Sequence, residues 1–404
     1  MVAEWREVFL EDVAAEITVG YVGPMASEYV QDGIPFLRSQ NVEPLRINKN
    51  DLKFITPAFH QKIRKSRLTP GDVVIVRTGK PGACAVVPES LPEANCSDIV
   101  IVRCGPEIDN RFLAYYINTV ASAHVNAHLV GAVQQHFNVG SARKMRINLP
   151  PLPEQKAIAR ILGTLDDKIE LNRRMNATLE AMARALFQSW FVDAVPDESA
   201  LPEGWELSTI GLEAKVVGGS TPSTKSPEFW DNGEFHWVTP KDFSSLQSKV
   251  LIGSSRKVTQ AGLDQITSGL LPENTVLLSS RAPVGYLALT KIKTAINQGF
   301  IAMICEKRLS PEYVMLWADS IMDKIKQAAS GTTFAEISKA TFRPFPIIVP
   351  PAERLHQFTT IVRALYERIA ANERQSVALA ETRDTLLPRL LSGELQTEEV
   401  ADAG

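Results

Sequence analysis

The chain repeats itself once, at an offset of about 200 residues, and this duplication constrains its architecture more than any single motif. Segments of similar character follow one another in the same order in both halves. An apolar run of strand length leads into a glycine-bearing turn at Asp72–Gly82 and again at Thr275–Gly285. An ordered set of matches along about 190 residues predicts one kind of domain used twice.

Each half ends on a pair of prolines, Pro150-Pro151 or Pro350-Pro351, before a long helical segment. Ahead of the prolines, short strands and turns are followed by one or two helices and a final strand. We therefore predict an α+β fold: two similar mixed α/β domains joined by two long antiparallel coiled-coil helices with pseudo-two-fold symmetry. The predicted boundaries are 1–150 and 196–350 for the two domains, 151–195 for the central helix, and 351–404 for the C-terminal helix and tail.

The two long segments, residues 154–190 and 354–387, contain no internal proline, and the fixed φ of the prolines before them suits a helix start. A seven-residue spacing of apolar side chains in both segments is typical of a coiled-coil seam. Flanking apolar residues such as Met182 and Ile361 widen it. The predicted seam positions are Ile158, Leu165, Asn172, Leu179 and Leu186 in the first helix and Phe358, Leu365, Asn372, Leu379 and Leu386 in the second.

An asparagine occupies the same slot of both seams, Asn172 in the first and Asn372 in the second. A buried asparagine in a heptad core is costly alone and tolerable when paired, so it fixes the register. If the helices pack antiparallel about a pseudo-two-fold axis, the two amides should meet near that axis. Two unrelated, solvent-exposed asparagines are the alternative.

The charge of the chain gives no global sign of a polyanionic partner, because its formal net charge is only −3. Residues 1–150 and 201–350 each carry nearly equal numbers of acidic and basic side chains. The acidic excess lies in the two connecting segments, 151–200 and 351–404. Any contact with nucleic acid would therefore depend on local clusters of cations.

The cysteine pattern and the hydropathy indicate a soluble protein of a reducing cytoplasm. No CxxC pair is present, and no apolar run approaches the roughly 20 residues that span a bilayer. The first residues are too acidic for a secretory signal. His124 and His128 lie four apart in a predicted helix, but no nearby cysteine or carboxylate set completes a metal site.

The motifs of common enzymes are missing from the sequence. There is no GxGxxG after a strand, no GxxxxGK[ST], no GxSxG and no HExxH. The segment Asn148–Pro151 is only superficially similar to the Asn-Pro-Pro-aromatic tetrapeptide of amino-methyltransferases, because Leu149 separates the asparagine from the prolines. We therefore expect a non-catalytic chain that binds neither metal nor cofactor itself.

Both halves carry polar and basic turn residues of the kind that contact DNA. Phosphates are bound by cations and hydroxyls, and base edges are read by Arg, Lys, Asn and Gln. A solvated surface role is the alternative for any single residue. The candidates for phosphate contact are Lys62, Arg64, Lys65 and Arg67, with Arg256 and Lys257 of Ser254–Lys257 as a weaker counterpart.

The candidates for base contact cluster in equivalent turns of the two halves, which favours the set over its single members. They are Arg38, Gln40, Asn41, Arg77, Lys80, Gln134 and Gln135 in the first half, and Lys241, Arg281, Asn297, Gln298 and Thr332 in the second.

Three further segments carry a resemblance to a known family. Leu149–Gln155 opens the central helix, Leu186–Phe191 closes it, and Arg383–Gly393 lies near the C-terminus. With the repeat, these segments make the sequence similar, over essentially its full length, to the DNA-specificity subunit of Type I restriction-modification systems. Locally, Pro350–Arg354 departs from the pattern because it lacks the Leu-Pro-Glu-Gln of the first repeat, which could make the docking of partner subunits unequal.

The resemblance implies two target-recognition domains, each reading one half of an asymmetric bipartite site in double-stranded DNA. The long helices resemble the family's spacer helices, which set the gap between the half-sites. A 37-residue helix spans about 55 Å, roughly one and a half turns of B-DNA. Two modification subunits would dock on the helices and carry the S-adenosylmethionine chemistry, and restriction subunits would add ATP- and Mg-dependent translocation and cleavage.

Two other functions compete with this interpretation. The chain could be a bivalent scaffold whose domains bind protein partners without reading a DNA sequence. It could also be a catalytic fragment of a single-chain restriction-methylation enzyme, although the missing methyltransferase and nuclease motifs argue against that.

Overall fold

The computed structural model describes residues 5–120, 137–195, 201–329 and 335–397. The chain divides into two compact units. Unit 1 comprises Met1–Asp167 and Leu379–Gly404, and unit 2 comprises Lys168–Ala378. Each unit therefore combines one body with part of both long helices. Across the described ranges, no helix is long and apolar enough to cross a membrane.

The described strands of unit 1 form two larger sheets and two pairs. Strands β2 (Ala14–Val19), β9 (Val73–Val76), β10 (Cys84–Val86) and β12 (Ile99–Cys104) form a sheet in the order β10-β9-β12-β2. Strands β3 (Tyr29–Val30), β4 (Ile34–Leu37), β7 (Lys53–Ile55), β8 (Arg67–Leu68) and β11 (Ala94–Cys96) form another in the order β3-β7-β4-β11-β8. The pairs are β1 (Arg6–Phe9) with β13 (Arg146–Leu149) and β5 (Val42–Glu43) with β6 (Arg46–Ile47).

The short helices among the described residues of unit 1 are α1 (Leu10–Val13), α2 (Pro57–Lys62), α3 (Asn110–Thr119) and α4 (Val139–Arg143), with 3-10 turns at Ser39–Asn41 and Arg64–Ser66. A threonine begins α2, because the Thr56 hydroxyl accepts a hydrogen bond from the Phe59 amide at 3.1 Å.

The described strands of unit 2 follow the same plan. Strands β15 (Lys215–Val217), β17 (Val250–Leu251), β19 (Val276–Ser279), β20 (Leu287–Thr290) and β22 (Phe300–Ile304) form a sheet in the order β15-β22-β19-β20-β17. A smaller sheet, in the order β18-β16-β21, consists of β16 (Phe235–Val238), β18 (Arg256–Val258) and β21 (Thr294–Ile296). The first strand of the body, β14 (Glu206–Thr209), pairs with the last, β23 (Pro346–Val349).

The described helices of unit 2 outside the long pair are short, and Thr259 caps the start of α8 as Thr56 caps the start of α2. They are α6 (Ile210–Glu213), α7 (Pro240–Ser244), α8 (Gln260–Leu263), α9 (Pro311–Ser320), α10 (Met322–Gln327) and α11 (Lys339–Phe342), with a 3-10 turn at Pro227–Phe229.

The central strands of each unit are buried on both faces. In β9, Val73 and Ile75 belong to one apolar cluster, and Val74 and Val76 belong to another. The same alternation between two clusters occurs along β19 of unit 2. A strand covered on both faces has no polar side to show in its sequence. This explains why both strands stand out as continuous apolar runs.

The two predicted long helices are confirmed. Long helix 1 is α5 (Leu152–Phe187), continued by a π-helical turn at Gln188–Val192. Long helix 2 is α12 (Ala352–Leu391), so it continues past the proline-free segment 354–387. Pro388 removes one backbone donor, but Leu390 and Leu391 are buried in the core of unit 1 and hold the last turn.

Within unit 2 the two long helices run antiparallel, as predicted. Asn172 contacts residue 372, whereas the Trp190 carbonyl accepts a hydrogen bond from Arg354 at 2.9 Å. Asn172 Nδ2 donates to the Asn372 carbonyl at 3.3 Å. The amide of Asn372 itself pairs with Asn176, whose Oδ1 accepts from Asn372 Nδ2 at 2.8 Å. Asn172 therefore lies against residue 372, but the two side-chain amides do not bond to each other as predicted, and Asn176 is the partner that the heptad pattern missed.

The predicted seven-residue seam matches the observed burial only in part. Ile158, Asn172, Phe358 and Asn372 are buried as predicted. The remaining predicted seam positions are only half-buried: Leu165, Leu179, Leu186, Leu365, Leu379 and Leu386. Leu162, Asn176 and Phe187 are buried although they lie off the predicted seven-residue line. Met182 and Ile361, which the sequence pattern placed beside the seam, are 49% and 44% exposed.

Candidate nucleic-acid interface

Three polar loops meet at one edge of unit 1. Strands β4 and β11 are parallel, with Leu37 opposite Cys96, so their carboxyl ends share an edge. Strand β9 is antiparallel to β12 and its last residue, Val76, faces Ile99, the first residue of β12. Loops 38–41, 77–82 and 97–98 therefore come together, and we call them loop cluster 1.

The same three loops meet in unit 2. Strands β16 and β21 are parallel, and Val238 lies opposite Ile296. At the end of β19, Ser279 faces Phe300, the first residue of β22. The Asn297 amide donates to the Val238 carbonyl at 3.1 Å, and the Ser280 amide donates to the Gly299 carbonyl at 2.8 Å. Loops 239–241, 280–285 and 297–299 form loop cluster 2.

The long turn of each cluster has the same backbone hydrogen bonds. In cluster 1 the Gly82 amide donates to the Val76 carbonyl at 2.9 Å, and in cluster 2 the Gly285 amide donates to the Ser279 carbonyl at 3.1 Å. Both turns also place a residue at positive φ, Gly79 at 86° and Ala282 at 54°. By this alignment Arg77 corresponds to Ser280, and Thr78 corresponds to Arg281.

A carboxylate fixes Arg77 in cluster 1. Arg77 Nη1 forms an ion pair with Asp98, and Arg77 Nε donates to the Phe137 carbonyl at 3.3 Å. The Thr78 hydroxyl donates to the other oxygen of Asp98 at 3.3 Å. Only 19% of the Arg77 side chain is exposed. Its guanidinium is therefore held in one orientation at the edge of the sheet.

A second carboxylate, Asp51, gathers Arg38 and Gln40. Arg38 Nη2 lies 2.9 Å and Gln40 Nε2 lies 3.1 Å from the same oxygen of Asp51. Lys53 Nζ lies 2.8 Å from the other oxygen. The hydrogen bond from Lys53, with that from Arg38, lowers the pKa of Asp51 to about 2, so it stays ionised. Asp51 and Asp98 were not among the predicted site residues, because carboxylates do not bind DNA directly. The only sequence signal for them was their position beside the loops.

The structure corrects the prediction for Asn41. This side chain is 1% exposed. Its Nδ2 donates to the carbonyls of Asn48 and Asn50, both at 3.1 Å, and its Oδ1 accepts from the Arg38 amide at 3.0 Å. An amide with all these partners has no free edge for a base. Asn41 therefore stabilises the turn that carries Arg38 and Gln40 and does not contact a base itself.

The basic segment 62–67 flanks cluster 1. Lys62, Arg64 and Lys65 are exposed, whereas Arg67 is half-buried and donates to Gln61. The segment reaches the cluster edge because the Ser66 carbonyl accepts a hydrogen bond from the Cys96 thiol at 3.7 Å.

The predicted counterpart of this segment in unit 2 is wrong. Strand β18 pairs with β16 as β7 pairs with β4, and Arg256 faces Trp237 as Lys53 faces Phe36. Arg256 and Lys257 therefore correspond to the Lys53 strand. The true counterpart of 62–67 follows α8, where residues 264–270 contain neither lysine nor arginine. Different loop lengths shift the offset here and hide the correspondence in the sequence.

Arg256 lies on an aromatic platform. Its guanidinium carbon is 3.7 Å from the ring centroid of Trp230 and 5.3 Å from that of Trp237. Flat contact of this kind orients a cation while leaving its hydrogen-bond donors available. Arg256 and Lys257 are both exposed.

The remaining candidates of unit 2 lie on cluster 2 itself. Lys241 and Gln298 are exposed. The Gln298 side-chain oxygen accepts a hydrogen bond from Thr221 at 2.6 Å, and the Asn297 side-chain oxygen accepts one from the Gly299 amide at 2.9 Å. Arg281 Nη1 lies 3.8 Å from Glu336. In cluster 1, Lys80 is exposed. Three predicted candidates lie outside the described residues: Gln134, Gln135 and Thr332.

The described residues show little chemistry beyond binding. None of their groups of His, Cys, Asp and Glu has the members to hold a metal ion. Burial raises the pKa of the Cys104 and Cys305 thiols to about 12, so these side chains stay protonated and are poor nucleophiles. The loop clusters thus consist of donors and acceptors fixed at a surface.

Comparison with known proteins assigns both halves of the chain to one domain family. The model of the Type I restriction modification DNA specificity domain matches residues 3–181 and again residues 202–380. The MjaIX specificity subunit of Methanocaldococcus jannaschii is 30% identical, over 98% of this chain and 95% of that protein. The HindI specificity subunit of Haemophilus influenzae is 26% identical, over 63% of this chain and 70% of that protein.

The fold is also found in a solved structure. The crystal structure of the S subunit of a Type I restriction-modification system from M. genitalium has a TM-score of 0.60, with 15% sequence identity, and the match covers 96% of each chain. Two specificity-domain matches and a relative aligned over almost its full length show that this chain belongs to the Type I restriction modification DNA specificity family.

Proposed function

We propose that this chain is the DNA-recognition subunit of a Type I restriction-modification complex and that each loop cluster reads one half of a bipartite site. The observation that carries the proposal is that the same three loops meet at one sheet edge in both units. In both units, loops after a parallel strand pair and a buried central strand bring polar side chains to one place. Because the duplicated frame presents two reading surfaces, a site in two parts fits the chain.

The proposed contacts divide by chemistry. Side chains held in a defined orientation suit base edges, and exposed flexible cations suit phosphates. The proposed base contacts are Arg38, Gln40, Arg77, Arg256, Arg281, Asn297 and Gln298, together with Gln134, Gln135 and Thr332. The proposed phosphate contacts are Lys62, Arg64, Lys65, Arg67, Lys80, Lys241 and Lys257. With a net charge of −3, the chain would share the grip on the backbone with its partners.

The long helices would set the distance between the half-sites and bind the modification subunits. An exposed apolar strip supports this docking role in unit 2. Leu171 is 41% exposed and Met182 is 49% exposed, and Met175 lies between them at helical spacing. Leu171 and Met175 also line a shallow depression with Arg368 of the other helix. S-adenosylmethionine chemistry would belong to the modification subunits, and ATP- and Mg-dependent steps to restriction subunits.

The test is to express the chain with its modification subunit and to map DNA methylation across the host genome. We expect a bipartite motif with methylated adenine in both halves. The modification subunit alone and the subunit paired with an unrelated specificity chain are the controls. Exchanging residues 1–150 for those of a relative should change one half-site only. Absence of a new motif, with a modification subunit that is active in the second control, would contradict the proposal.

Purified complex gives an independent measurement. Specific binding should exceed binding to unrelated DNA, and affinity should fall steeply as salt concentration rises. Affinity that depends on neither sequence nor salt would instead favour a protein-binding scaffold.

A further inference from the structure

The pair Arg77 and Asp98 has no equivalent in loop cluster 2, and it singles out one position of the proposed DNA site. Arg77 corresponds to Ser280, and Asp98 precedes β12 as Gly299 precedes β22. A serine and a glycine cannot form an ion pair. The two clusters therefore differ at the point where their backbones agree most closely.

The guanidinium of Arg77 is held in place by only some of its N–H donors. A guanidinium carries five N–H donors in one plane. Arg77 Nε donates one to the Phe137 carbonyl, and Arg77 Nη1 donates one to Asp98. The other hydrogens of Nη1 and those of Nη2 have no acceptor among the described residues. Among the described residues, three of the five N–H groups, one on Nη1 and two on Nη2, therefore remain for a ligand.

The neighbouring carboxylate decides which part of DNA suits this group. A phosphate is attracted by net positive charge, and Asp98 cancels the charge of Arg77 while repelling an anion. A guanine edge offers two neutral acceptors, O6 and N7, whose spacing matches a guanidinium fork. Holding the fork in place before binding lowers the entropy lost on contact. The pair favours a base over the backbone.

We propose that Arg77 reads a guanine in the half-site of unit 1 and that Asp98 is the positioning residue that aims it. This inference rests on the proposed function and names one base pair that cluster 1 requires. Cluster 2, which has Ser280 in place of Arg77, makes no such demand at the corresponding position.

The experiment measures base preference at every position of the site. The purified complex of this chain with its modification subunit is bound to duplexes in which each base pair of the methylation motif is replaced in turn. Two variants are compared with the wild type, Arg77→Gln and Asp98→Asn. Asn is chosen because residue 98 lies at a φ of 47°, which asparagine tolerates. The matched controls are Arg146→Gln and Glu7→Gln, since these residues form an exposed ion pair of 2.9 Å on β1 and β13, outside the loop cluster.

We expect the wild type to prefer guanine at one position of the unit 1 half-site by on the order of tenfold or more. Arg77→Gln should abolish that preference, and Asp98→Asn should weaken it at the same position. Preferences at the other positions of the motif, including the whole second half-site, should stay unchanged in both variants. The control variants should bind like the wild type.

Three results would overturn the inference while leaving the proposed function standing. The first is a relaxed position that contains no guanine in the wild-type motif. The second is an affinity that falls equally for all sequences with a shallower salt dependence. The third is that both variants keep every preference. The second result would make Arg77 a phosphate contact, and the third would make the ion pair a purely structural link. A wild-type complex that shows no bipartite preference would instead remove the proposed function itself.

Discussion

Loop clusters 1 and 2 share a backbone frame and differ in the side chains placed on it. The turn 77–82 and the turn 280–285 have matching hydrogen bonds, yet an arginine with a carboxylate partner occupies the first and a buried serine occupies the same place in the second. The basic segment 62–67 has no cationic counterpart. A repeated frame with unequal side chains can present two different surfaces to two different half-sites.

Side chains at corresponding positions of the two long helices also differ. The largest expected effect comes from such a position in the core of unit 2. Phe191 packs on Tyr313 and Phe358 in unit 2, with ring centroids 4.9 and 4.7 Å apart. The residue 200 positions later, Leu391, is an aliphatic side chain buried in the core of unit 1. Phe191→Ala should lower the free energy of unfolding of unit 2 by about 3–5 kcal/mol. Hydrogen exchange should show the lost protection in β19 and β22.

Leu391→Ala is the matched control for this prediction, and it should reduce protection in β9 and β12 of unit 1. Phe191→Leu keeps most of the buried area, so it should recover much of the stability. Unchanged exchange in β19 and β22 of Phe191→Ala would mean that the aromatic cluster does not support unit 2.

The basic segment offers the next largest effect. Replacing Lys62, Arg64 and Lys65 by alanine should make the slope of log affinity against log salt shallower by about 2–3, since each phosphate contact contributes about 0.9. At physiological salt the same relation gives a loss of roughly a hundredfold. Fluorescence anisotropy with a specific duplex over a salt series measures both quantities.

The comparison between the units supplies the control for the basic segment. Thr267→Ala and Ser268→Ala change the corresponding stretch of unit 2, where no cation is present, and should leave the slope unchanged. An unchanged slope in the triple variant of unit 1 would show that the segment does not contact phosphates.

Asn172 and Asn372 occupy equivalent positions but have different partners, so their effects should differ as well. Asn372→Ala leaves the buried oxygen of Asn176 without its donor at 2.8 Å and should cost about 1–3 kcal/mol. A urea denaturation cycle that combines this change with Asn176→Ala should show positive coupling. The cycle of Asn172→Ala with Asn372→Ala should show less, because Asn172 binds the main-chain carbonyl of residue 372. Equal coupling in the two cycles would contradict these assignments.

The features that could be predicted from the sequence are those with a periodic or repeated signal. The double-faced burial of β9 and β19 produces apolar runs, and the long helices have their heptads, so both were predicted correctly. Equivalent site residues in the two units are defined by strand register. A constant offset of 200 does not identify them, because the loops between the strands have unequal lengths. For that reason Arg256 was matched to the basic segment and not to Lys53. Asp51, Asp98 and Asn176 act through a partner side chain, so their residue types gave no signal, and only the position of the two aspartates beside the loops pointed to the site.

The smallest expected effect separates Arg256 from its equivalent in unit 1. Lys53 is oriented by Asp51, whereas Arg256 is oriented by the face of Trp230 at 3.7 Å. A cation–π contact at an exposed site contributes about 0.5–1 kcal/mol, so Trp230→Ala should weaken binding to a specific duplex by only about two- to fivefold. The weakening should be confined to base preferences in the half-site of unit 2. Trp230→Phe keeps a ring under the guanidinium and should bind nearly as well as the wild type. If Trp230→Ala instead altered preferences in the half-site of unit 1, the assignment of one half-site to each loop cluster would be wrong.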